Sequence, residues 1–466
     1  MTALKFVSTR GAAPALDLAE VTLAGLARDG GLYVPAEWPV FSPEQIAGMA
    51  GLSYADLAVA VMTPFVAGTI APKDFARLVA EAYGNFDHRA VTPLRQSGPD
   101  EWVLELFHGP TLAFKDCALQ LLGPLFDHLL ERDKSRVTIV GATSGDTGSA
   151  AIEACRDRDA LDIFILYPHG RVSEIQRRQM TTVTSKNVNA LAVEGTFDDC
   201  QDLVKAMFAD EDFRARSRLS AVNSINWARV MAQIVYYVWA VRQLDRQEVR
   251  TTFSVPTGNF GNVFAGHVAR RMGLPIERFF VASNTNDILT RLIETSEMVA
   301  EAVVPTLSPS MDIQISSNLE RLLFELLDGN GPATAELIGG FREHGNVRLT
   351  PAQHERLVAE FGGDRLTDAE TLEVMADVHA STGMVIDPHT AVGVGAARRL
   401  RRPDETVVTL ATAHPAKFPA AVEQAIGIRP ELPEHLADLF DRDEVVTPLP
   451  NDLGTVEDFV DSVRRA

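Results

Sequence analysis

A single lysine stands at the start of a helical pattern and has the chemistry to react. Lys115 follows the turn Gly109-Pro110, and apolar residues recur at helical spacing between Ala118 and Leu130. A cation at a helix N-terminus opposes the helix dipole, which disfavours the ammonium form. The neutral amine is a nucleophile toward carbonyl groups. This position therefore predicts a catalytic Lys115, although a lone lysine of this kind is more often a surface side chain.

Two glycine-rich turns elsewhere in the chain have the pattern of anion-binding loops. Gly141–Gly148 follows the apolar run Val137–Val140, and Pro256–Asn262 follows the run Thr251–Val255. Each turn lies between a strand-like and a helix-like run, where backbone amides converge on an anion. The first turn lacks the Gly-Lys-Ser/Thr ending of a P-loop and the glycine spacing of a dinucleotide site. Either turn alone is more often just a tight connection.

Four stretches, taken together, carry a resemblance to a known family. They are HGPTLAFKD at 108–116, GATSGDTGSA at 141–150, VPTGNFGN at 255–262 and AHPAKF at 413–418. The set resembles threonine synthase, which belongs to the fold-type II pyridoxal-phosphate enzymes. Ser8–Gly11 and Asp29–Pro35 are similar to the long, bacterial and fungal form of that family. The resemblance runs in ordered blocks from about residue 5 to residue 425.

The resemblance implies a fold and a domain organisation. The fold is α/β and similar to the tryptophan synthase β chain, with two lobes built on parallel or mixed sheets and a small helical N-terminal domain. We expect a mostly helical N-terminal domain at 1–90 and a small mobile α/β lobe at 135–215. The large cofactor-binding domain would comprise 91–134 and 216–466, with a helix-rich insertion at about 298–385.

Short apolar runs alternate with helical patterns, which indicates a parallel sheet. The strand candidates are Trp102–Leu106, Val137–Ala142, Ile163–Tyr167, Val188–Val193, Thr252–Val255, Phe279–Ala282 and Val407–Ala411. Ligands of such sheets bind at the carboxyl ends of strands, and Gly141, Gly258 and Thr412 all follow strand ends. We therefore expect one common site. Gly362-Gly363 predicts an interruption of the helical pattern within the insertion, and the acidic tail after Pro430 is expected to be peripheral.

The cofactor that the resemblance implies is pyridoxal 5'-phosphate, bound covalently by Lys115, which would also act as a base. Its phosphate would lie in the loop formed by Gly258, Asn259, Phe260, Gly261 and Asn262. Thr412 would face the ring nitrogen, although it could instead cap the following turn. Asp146 occupies a position where many relatives carry Asn against the phenolic oxygen. We expect an Asp there to be protonated or to face away, and its role stays open.

The implied substrate is O-phospho-L-homoserine. Its α-carboxylate would be held by Thr143, Ser144 and Thr147, and its phosphate by Asn223, Ser224 and Arg229. Arg229 lies one turn into Trp227–Leu244, a helical stretch that is apolar nearly all round and therefore predicted to be buried. A lone guanidinium is costly there, so a bound phosphate or an unseen carboxylate must offset it. We favour the phosphate.

Composition restricts the partners. The chain has 466 residues and a formal net charge of −20, which argues against nucleic acid and anionic membranes. No apolar run approaches ~18 residues and Met1–Lys5 has no signal-peptide pattern, so we expect a cytoplasmic protein. Cys117, Cys155 and Cys200 indicate buried free thiols, and the ungrouped histidines predict no metal site.

The resemblance implies conversion of O-phospho-L-homoserine and water into L-threonine and phosphate, by γ-elimination and then addition of water at Cβ. One alternative is a related fold-type II enzyme, such as a threonine or serine dehydratase, a cysteine synthase or a phospho-amino-acid phospholyase. Another is a non-catalytic binder of phosphorylated metabolites. The sequence leaves open whether the protein is a monomer or a homodimer.

Overall fold

The structure is a computed structural model that describes residues 3–244 and 250–465. Its N-terminal part combines a two-stranded antiparallel sheet with four helices. The strands are β1 (Phe6–Ser8) and β2 (Tyr33–Pro35), and the helices are α1 (Leu18–Ala24), α2 (Pro43–Gly48), α3 (Tyr54–Val66) and α4 (Pro72–Gly84). Side chains of Asp17, Ser42 and Ser53 accept backbone N–H groups at the starts of α1, α2 and α3, which fixes where these helices begin. The apolar face of α3, with Leu57, Val61 and Phe65, is fully buried.

The larger sheet has six strands in the order β13-β10-β9-β14-β4-β3. Its members are β3 (Leu94–Gly98), β4 (Glu101–Glu105), β9 (Thr251–Pro256), β10 (Ile276–Ser283), β13 (Phe361–Arg365) and β14 (Val407–Ala411). All neighbours are parallel except the edge pair β3 and β4. Strand β9 is buried along its whole length, because helices cover both faces of the sheet.

The smaller sheet has five strands, all parallel, in the order β15-β7-β6-β5-β8. Its members are β5 (Val137–Ala142), β6 (Leu161–Pro168), β7 (Val188–Val193), β8 (Leu219–Ser220) and β15 (Thr447–Leu449). A separate two-stranded antiparallel sheet pairs β11 (Glu297–Val299) with β12 (Asn346–Arg348).

Helices surround both sheets. Those up to residue 295 are α5 (Asp116–Arg132), α6 (Asp146–Cys155), α7 (Glu174–Thr181), α8 (Phe197–Ala209), α9 (Glu211–Ser217), α10 (Trp227–Leu244), α11 (Gly261–Arg271) and α12 (Ile288–Thr295). The later ones are α13 (Leu319–Leu326), α14 (Gly331–His344), α15 (Pro351–Val358), α16 (Asp368–Thr382), α17 (Pro388–Leu400), α18 (Pro419–Ile426) and α19 (Leu453–Val463). Helix α10 is buried from Trp227 to Val241 and packs against α3, α5 and α11, which confirms the predicted buried helix.

Every strand predicted from the sequence is present. The helical pattern is interrupted at Gly362-Gly363 as predicted, although by a strand, since both glycines lie in β13 beside β10. This strand contains glycine in place of apolar residues. The reason is close packing: a Cβ atom at Gly363 would lie 3.1 Å from the Cα atom of Thr290 in α12. A strand that must contain glycine for close packing lacks the apolar pattern by which strands are recognised.

The tail was expected to be peripheral, and this is wrong. Strand β15 pairs in parallel with β7, and Val456 and Val460 of α19 are fully buried in the core of the smaller sheet. The domain boundaries themselves stay a prediction, and their outer ends at residues 1 and 466 lie outside the described residues. The pairing of β15 favours assigning the last part of the chain to the smaller lobe.

The three cysteines are free and buried, as predicted. None of the helices that the structure describes combines the length and apolar character that crossing a bilayer requires.

Candidate active site

The position of Lys115 is set by backbone pairing between two distant stretches. The N–H of Phe114 donates to the carbonyl of Thr412 at 2.9 Å, and the N–H of His414 donates to the carbonyl of Leu112 at 3.0 Å. The lysine therefore enters α5 directly beside the segment that follows β14. Its side chain is buried, and its amine lies 5.0 Å from the centroid of the Phe114 ring. The predicted pairing of Lys115 with Thr412 in one site is thus present in the fold.

A buried carboxylate lies between two lysines. Asp146, the first residue of α6, has Oδ2 3.3 Å from Nζ of Lys115 and Oδ1 2.8 Å from Nζ of Lys417. Burial alone would raise the pKa of Asp146, but the ammonium groups of Lys417 and Lys115 hold it well below its usual value. Burial lowers the pKa of Lys115, Asp146 opposes that shift, and Lys417 and Arg229 add to it.

This geometry corrects the prediction for Asp146, which was expected to be protonated or to face away. The carboxylate is ionised and points at Lys115, because Lys417 supplies a second cation. Gln176 also donates to Asp146 at 2.9 Å, and the hydroxyl of Ser310 donates at 3.3 Å.

Lys417 was not predicted as a site residue. It lies in a 3-10 turn, Pro415–Lys417, and its side chain has no exposed surface. The only signal was its presence in the AHPAKF stretch, where a lysine between apolar residues gives no periodic pattern.

The loop at 143–147 has a fixed shape that leaves two hydroxyl side chains accessible. The hydroxyl oxygen of Thr143 accepts the N–H groups of Gly145 and Gly148, both at 2.9 Å. Gly145 has φ +141°, and a Cβ atom there would lie 2.3 Å from the side chain of Gln176, so only glycine fits. Ser144 is exposed and Thr147 is half-buried. Thr143 therefore shapes the loop, while Ser144 and Thr147 remain available to a ligand.

The loop at 258–262 fits a phosphate group. Helix α11 begins at Gly261 with no side chain capping it, which leaves its first amides available to an anion. A Cβ atom at Gly258 would lie 2.7 Å from the carbonyl oxygen of Ser310, so the loop is closely packed on that side. The carbonyl of Asn259, which is exposed, accepts both the N–H and the side-chain amide of Asn318.

Two further residues of this loop contribute to its shape and its donors. Phe260 adopts a left-handed backbone conformation with φ +61°. The Asn262 side-chain oxygen accepts the hydroxyls of Tyr236 and Tyr237 at 2.6 and 2.9 Å. Its amide nitrogen is buried and has no partner among the described residues, which leaves a donor beside the loop. These features fit the phosphate of the implied cofactor.

A second loop, residues 222–226, lies beside the first. The Ser224 carbonyl oxygen would lie at ordinary van der Waals distance, 3.8 Å, from a Cβ atom at Gly261. Arg229 donates to the carbonyl of Val222 at 3.1 Å, and the side chain of Asn226 donates to the carbonyl of Thr22 at 2.8 Å. Ser224 is half-buried, and Asn223 beside it is exposed.

The Arg229 guanidinium is buried without a countercharge. Within the two described parts of the chain, no carboxylate lies within 4.0 Å of it, and its Nε has no partner. Burial lowers the pKa of Arg229 to about 10. A carboxylate partner for Arg229 was the alternative to a bound phosphate. No such carboxylate is found among the described residues.

Sequence reasoning also missed Arg321, which is fully buried in α13. Its guanidinium donates to the carbonyls of Tyr33 and Ile225, at 3.0 and 2.6 Å, and to the side-chain oxygen of Asn318. Arg321 therefore ties the N-terminal part to both loops, since Asn318 holds Asn259. It falls in the stretch interpreted as a helical insertion, where helical periodicity gives no reason to single out an arginine.

Comparison with known families identifies the chain. Residues 5–83 match the family described as threonine synthase N terminus. Residues 86–413 match the family of pyridoxal-phosphate dependent enzymes, and residues 390–460 match threonine synthase, C-terminal. The chain belongs to the threonine synthase family. The threonine synthase of Pseudomonas aeruginosa is 56% identical over 459 residues, covering 98% of each chain.

Solved structures agree with this assignment. The pyridoxal-phosphate-bound threonine synthase from Brucella melitensis is 52% identical, with a TM-score of 0.97 over 99% of this chain and 100% of that one. The yeast threonine synthase is 39% identical, with a TM-score of 0.93 over 98% of each chain. The resemblance to the threonine synthase family, the fold-type II fold and the pyridoxal-phosphate cofactor are confirmed. The roles of single residues stay predictions.

Proposed function

We propose that the protein is a threonine synthase, which converts O-phospho-L-homoserine and water into L-threonine and phosphate. The observation that carries the substrate is Arg229, a buried guanidinium with no carboxylate within 4.0 Å in the described chain. The Ser224 backbone beside it contacts the loop that suits the cofactor phosphate. A site with two neighbouring anion positions suits a phosphorylated substrate that must lie against a phosphorylated cofactor.

Four parts of the chain would hold the cofactor. Lys115 would bind it covalently, the loop at 258–262 would hold its phosphate, and Thr412 would face its ring nitrogen as a neutral partner. Asp146 lies beside Lys115 and would face the same ring. Pyridoxal phosphate, when bound, supplies a ring that stabilises negative charge at carbons of the attached amino acid.

Lys115 is well placed to move protons. Burial lowers the pKa of its amine, which favours the neutral form that can accept a proton at Nζ. Once substrate displaces it from the cofactor, Nζ would take the proton from Cα and then transfer protons at Cβ and Cγ. Loss of a proton at Cβ would expel the γ-phosphate, and a proton returned at Cγ would form the methyl group. Water would then add at Cβ, and the proton at Cα would be restored.

The loops at 143–147 and 222–226 would orient the substrate. Ser144, Thr147 and the amides at the start of α6 would bind the α-carboxylate, while Thr143 keeps that loop in shape. Asn223, Ser224 and Arg229 would bind the leaving phosphate. Its departure as a dianion would be helped by a guanidinium that has no carboxylate within 4.0 Å in the described chain.

The related enzymes differ in what they release. A phospholyase acting on the same substrate would give phosphate, 2-oxobutyrate and ammonia, since the unsaturated product would be hydrolysed and not hydrated at Cβ. A dehydratase would act on serine or threonine without any phosphate. The two threonine synthase regions matched at the ends of the chain favour the synthase.

The assay that tests this function measures three products from O-phospho-L-homoserine and the purified protein. Equal amounts of phosphate and threonine, with little 2-oxobutyrate, are expected. Phosphate accompanied by equimolar 2-oxobutyrate would instead identify a phospholyase. If no phosphate were released, the proposed function would be wrong.

We also propose that the protein works in the cytoplasm, as a monomer or a homodimer. Three buried free cysteines support a reducing compartment. Size-exclusion chromatography with light scattering would decide the oligomeric state.

A further inference from the structure

Lys417 is a buried cation that the residue roles proposed above do not use. Its Nζ donates to the carbonyl of Thr111 at 2.7 Å and lies 2.8 Å from Oδ1 of Asp146. The side chain has no exposed surface, so its ammonium has no access to bulk water. Burying a lysine ammonium costs free energy unless a countercharge and hydrogen bonds offset the loss of solvation.

The group that Lys417 contacts is shared with the reacting lysine. The other oxygen of Asp146 lies 3.3 Å from Nζ of Lys115. A carboxylate paired with one lysine alone would strongly favour the ammonium form of that lysine. A second ammonium on the same carboxylate offsets this effect and also repels the first.

The remaining groups around this pair include one further cation and one further carboxyl group. Asp146 also accepts from the neutral side chains of Gln176 and Ser310. Arg229 faces Lys115 from α10 and is a third cation. Asp116 follows Lys115, but its oxygens accept the N–H and hydroxyl of Thr111, and burial raises its pKa to about 6.

We propose that Lys417 is a positioning residue. Its ammonium holds Asp146 in place, offsets the charge of that carboxylate and repels a proton on Lys115, and so keeps more of Nζ of Lys115 in the uncharged, reactive state. The proposal rests on the proposed function only in that Lys115 is the amine that reacts with the cofactor. The burial that lowers the pKa of Lys115 acts in the same direction.

The test follows the proton on Nζ of Lys115 in the holoenzyme, by titrating the absorbance of the lysine–cofactor chromophore with pH. Lys417→Met removes the cation and keeps the length of the side chain. Its chromophore should hold the proton to a pH about 1 unit higher than in the parent. Asp146→Asn should shift the titration in the opposite direction, by a similar amount, because the carboxylate stabilises that proton.

Two controls separate charge from packing. Lys417→Arg keeps a cation and should titrate close to the parent. Lys205→Met removes a surface lysine that is 70% exposed and should leave the titration unchanged. A role in packing alone predicts lower thermal stability for Lys417→Met with no shift.

Lys417→Met leaves Asp146 with one cation fewer, so the variant can fail to fold. In that case the comparison is made between Asp146→Asn and the double variant Asp146→Asn/Lys417→Met. The same upward shift is expected, because Lys417 repels the proton on Lys115 even without the carboxylate. No upward shift in either background overturns the proposal. If no lysine–cofactor chromophore forms in the parent protein, the proposed function fails instead.

Discussion

The backbone N–H of Phe114 donates to the carbonyl of Thr412 across 2.9 Å, joining two stretches that are far apart in the sequence. Because this bond involves only backbone atoms, the position of Lys115 beside Thr412 does not depend on either side chain. Substitution of Lys115 should therefore leave the local fold in place. The same holds for the loops at 143–147 and 258–262. Their shapes depend on Gly145, Thr143 and Asn318, and not on Ser144 and Thr147, whose hydroxyls remain available to substrate.

The first prediction concerns the substrate's phosphate. A hydrogen bond to a charged group contributes about 1.5–3 kcal/mol, so losing one should reduce kcat/KM for O-phospho-L-homoserine roughly 10- to 150-fold. Arg229→Ala should lie at or beyond the upper end of that range and Ser224→Ala near the lower end. Steady-state kinetics of phosphate release measures both. The cofactor absorbance should survive, since the loop at 258–262 holds the cofactor separately.

A substrate without phosphate provides the control for this prediction. Arg229→Ala should spare a slow side reaction such as serine or threonine deamination, because that reaction has no leaving phosphate to bind. If both reactions fell equally, Arg229 would be structural and the specificity argument would fail.

The second prediction compares the two buried arginines. Arg321 bonds to Tyr33, Ile225 and Asn318, whereas Arg229 has one carbonyl partner. Arg321→Met should therefore lower the thermal midpoint and weaken cofactor binding and activity together. The reason is that the loops at 222–226 and 258–262 both lose the hydrogen bonds that Arg321 provides. Arg229→Met should affect mainly turnover of the phosphorylated substrate. A variant of Arg321 with unchanged stability and cofactor affinity would contradict this assignment.

The third prediction concerns stability at high pH. His267 is buried between Glu360, 2.6 Å from its Nδ1, and Glu325, 3.3 Å from its Nε2. Burial alone would lower the pKa of His267, but the two carboxylates raise it to about 9 from an ordinary 6.5. A raised pKa stabilises the folded state fully below about 6.5, and that contribution is lost as pH rises through about 9. The amount is on the order of 3 kcal/mol.

Urea unfolding at pH 6.5 and at pH 9.5 measures this contribution. The parent should lose more unfolding free energy between these values than His267→Gln, whose side chain does not titrate. Equal losses in the two proteins would show that His267 is not the titrating group.

The fourth prediction is that the lobe at 135–215 closes over the substrate. It carries Ser144 and Thr147, and an unsaturated intermediate must be protected from stray water. Structures with and without a substrate analogue should differ in the position of this lobe relative to the loop at 258–262. An unchanged position in both states would rule the closure out.

Much of the fold and part of the site could be predicted from the sequence. Buried parallel strands such as Val137–Ala142 are continuous apolar runs, and their carboxyl ends collect loops, so Gly141, Gly258 and Thr412 could be placed on one side of the fold. The apolar pattern of α10 marked Arg229 as a buried charge. These inferences succeeded because each depends on residues close together in the sequence.

The rest depends on contacts between distant residues. Asp146 is ionised because of Lys417, which comes from a turn far along the chain and leaves no periodic signal. Strand β13 contains glycines because α12 packs closely on it. The tail joins the smaller sheet because β15 pairs with β7, and a strand as short as Thr447–Leu449 gives too few residues for a pattern.

The central claim is that Lys115 binds the cofactor, and one measurement tests it most directly. The purified protein should be yellow, and borohydride should bleach the band and fix the cofactor to the chain. Mass spectrometry of the digested protein should then find the label on Lys115, while Lys115→Ala should be folded, colourless and unlabelled. Lys417 is the informative comparison, because it is a buried lysine bound to the same Asp146. A label on Lys417, or on any lysine other than Lys115, would contradict the account.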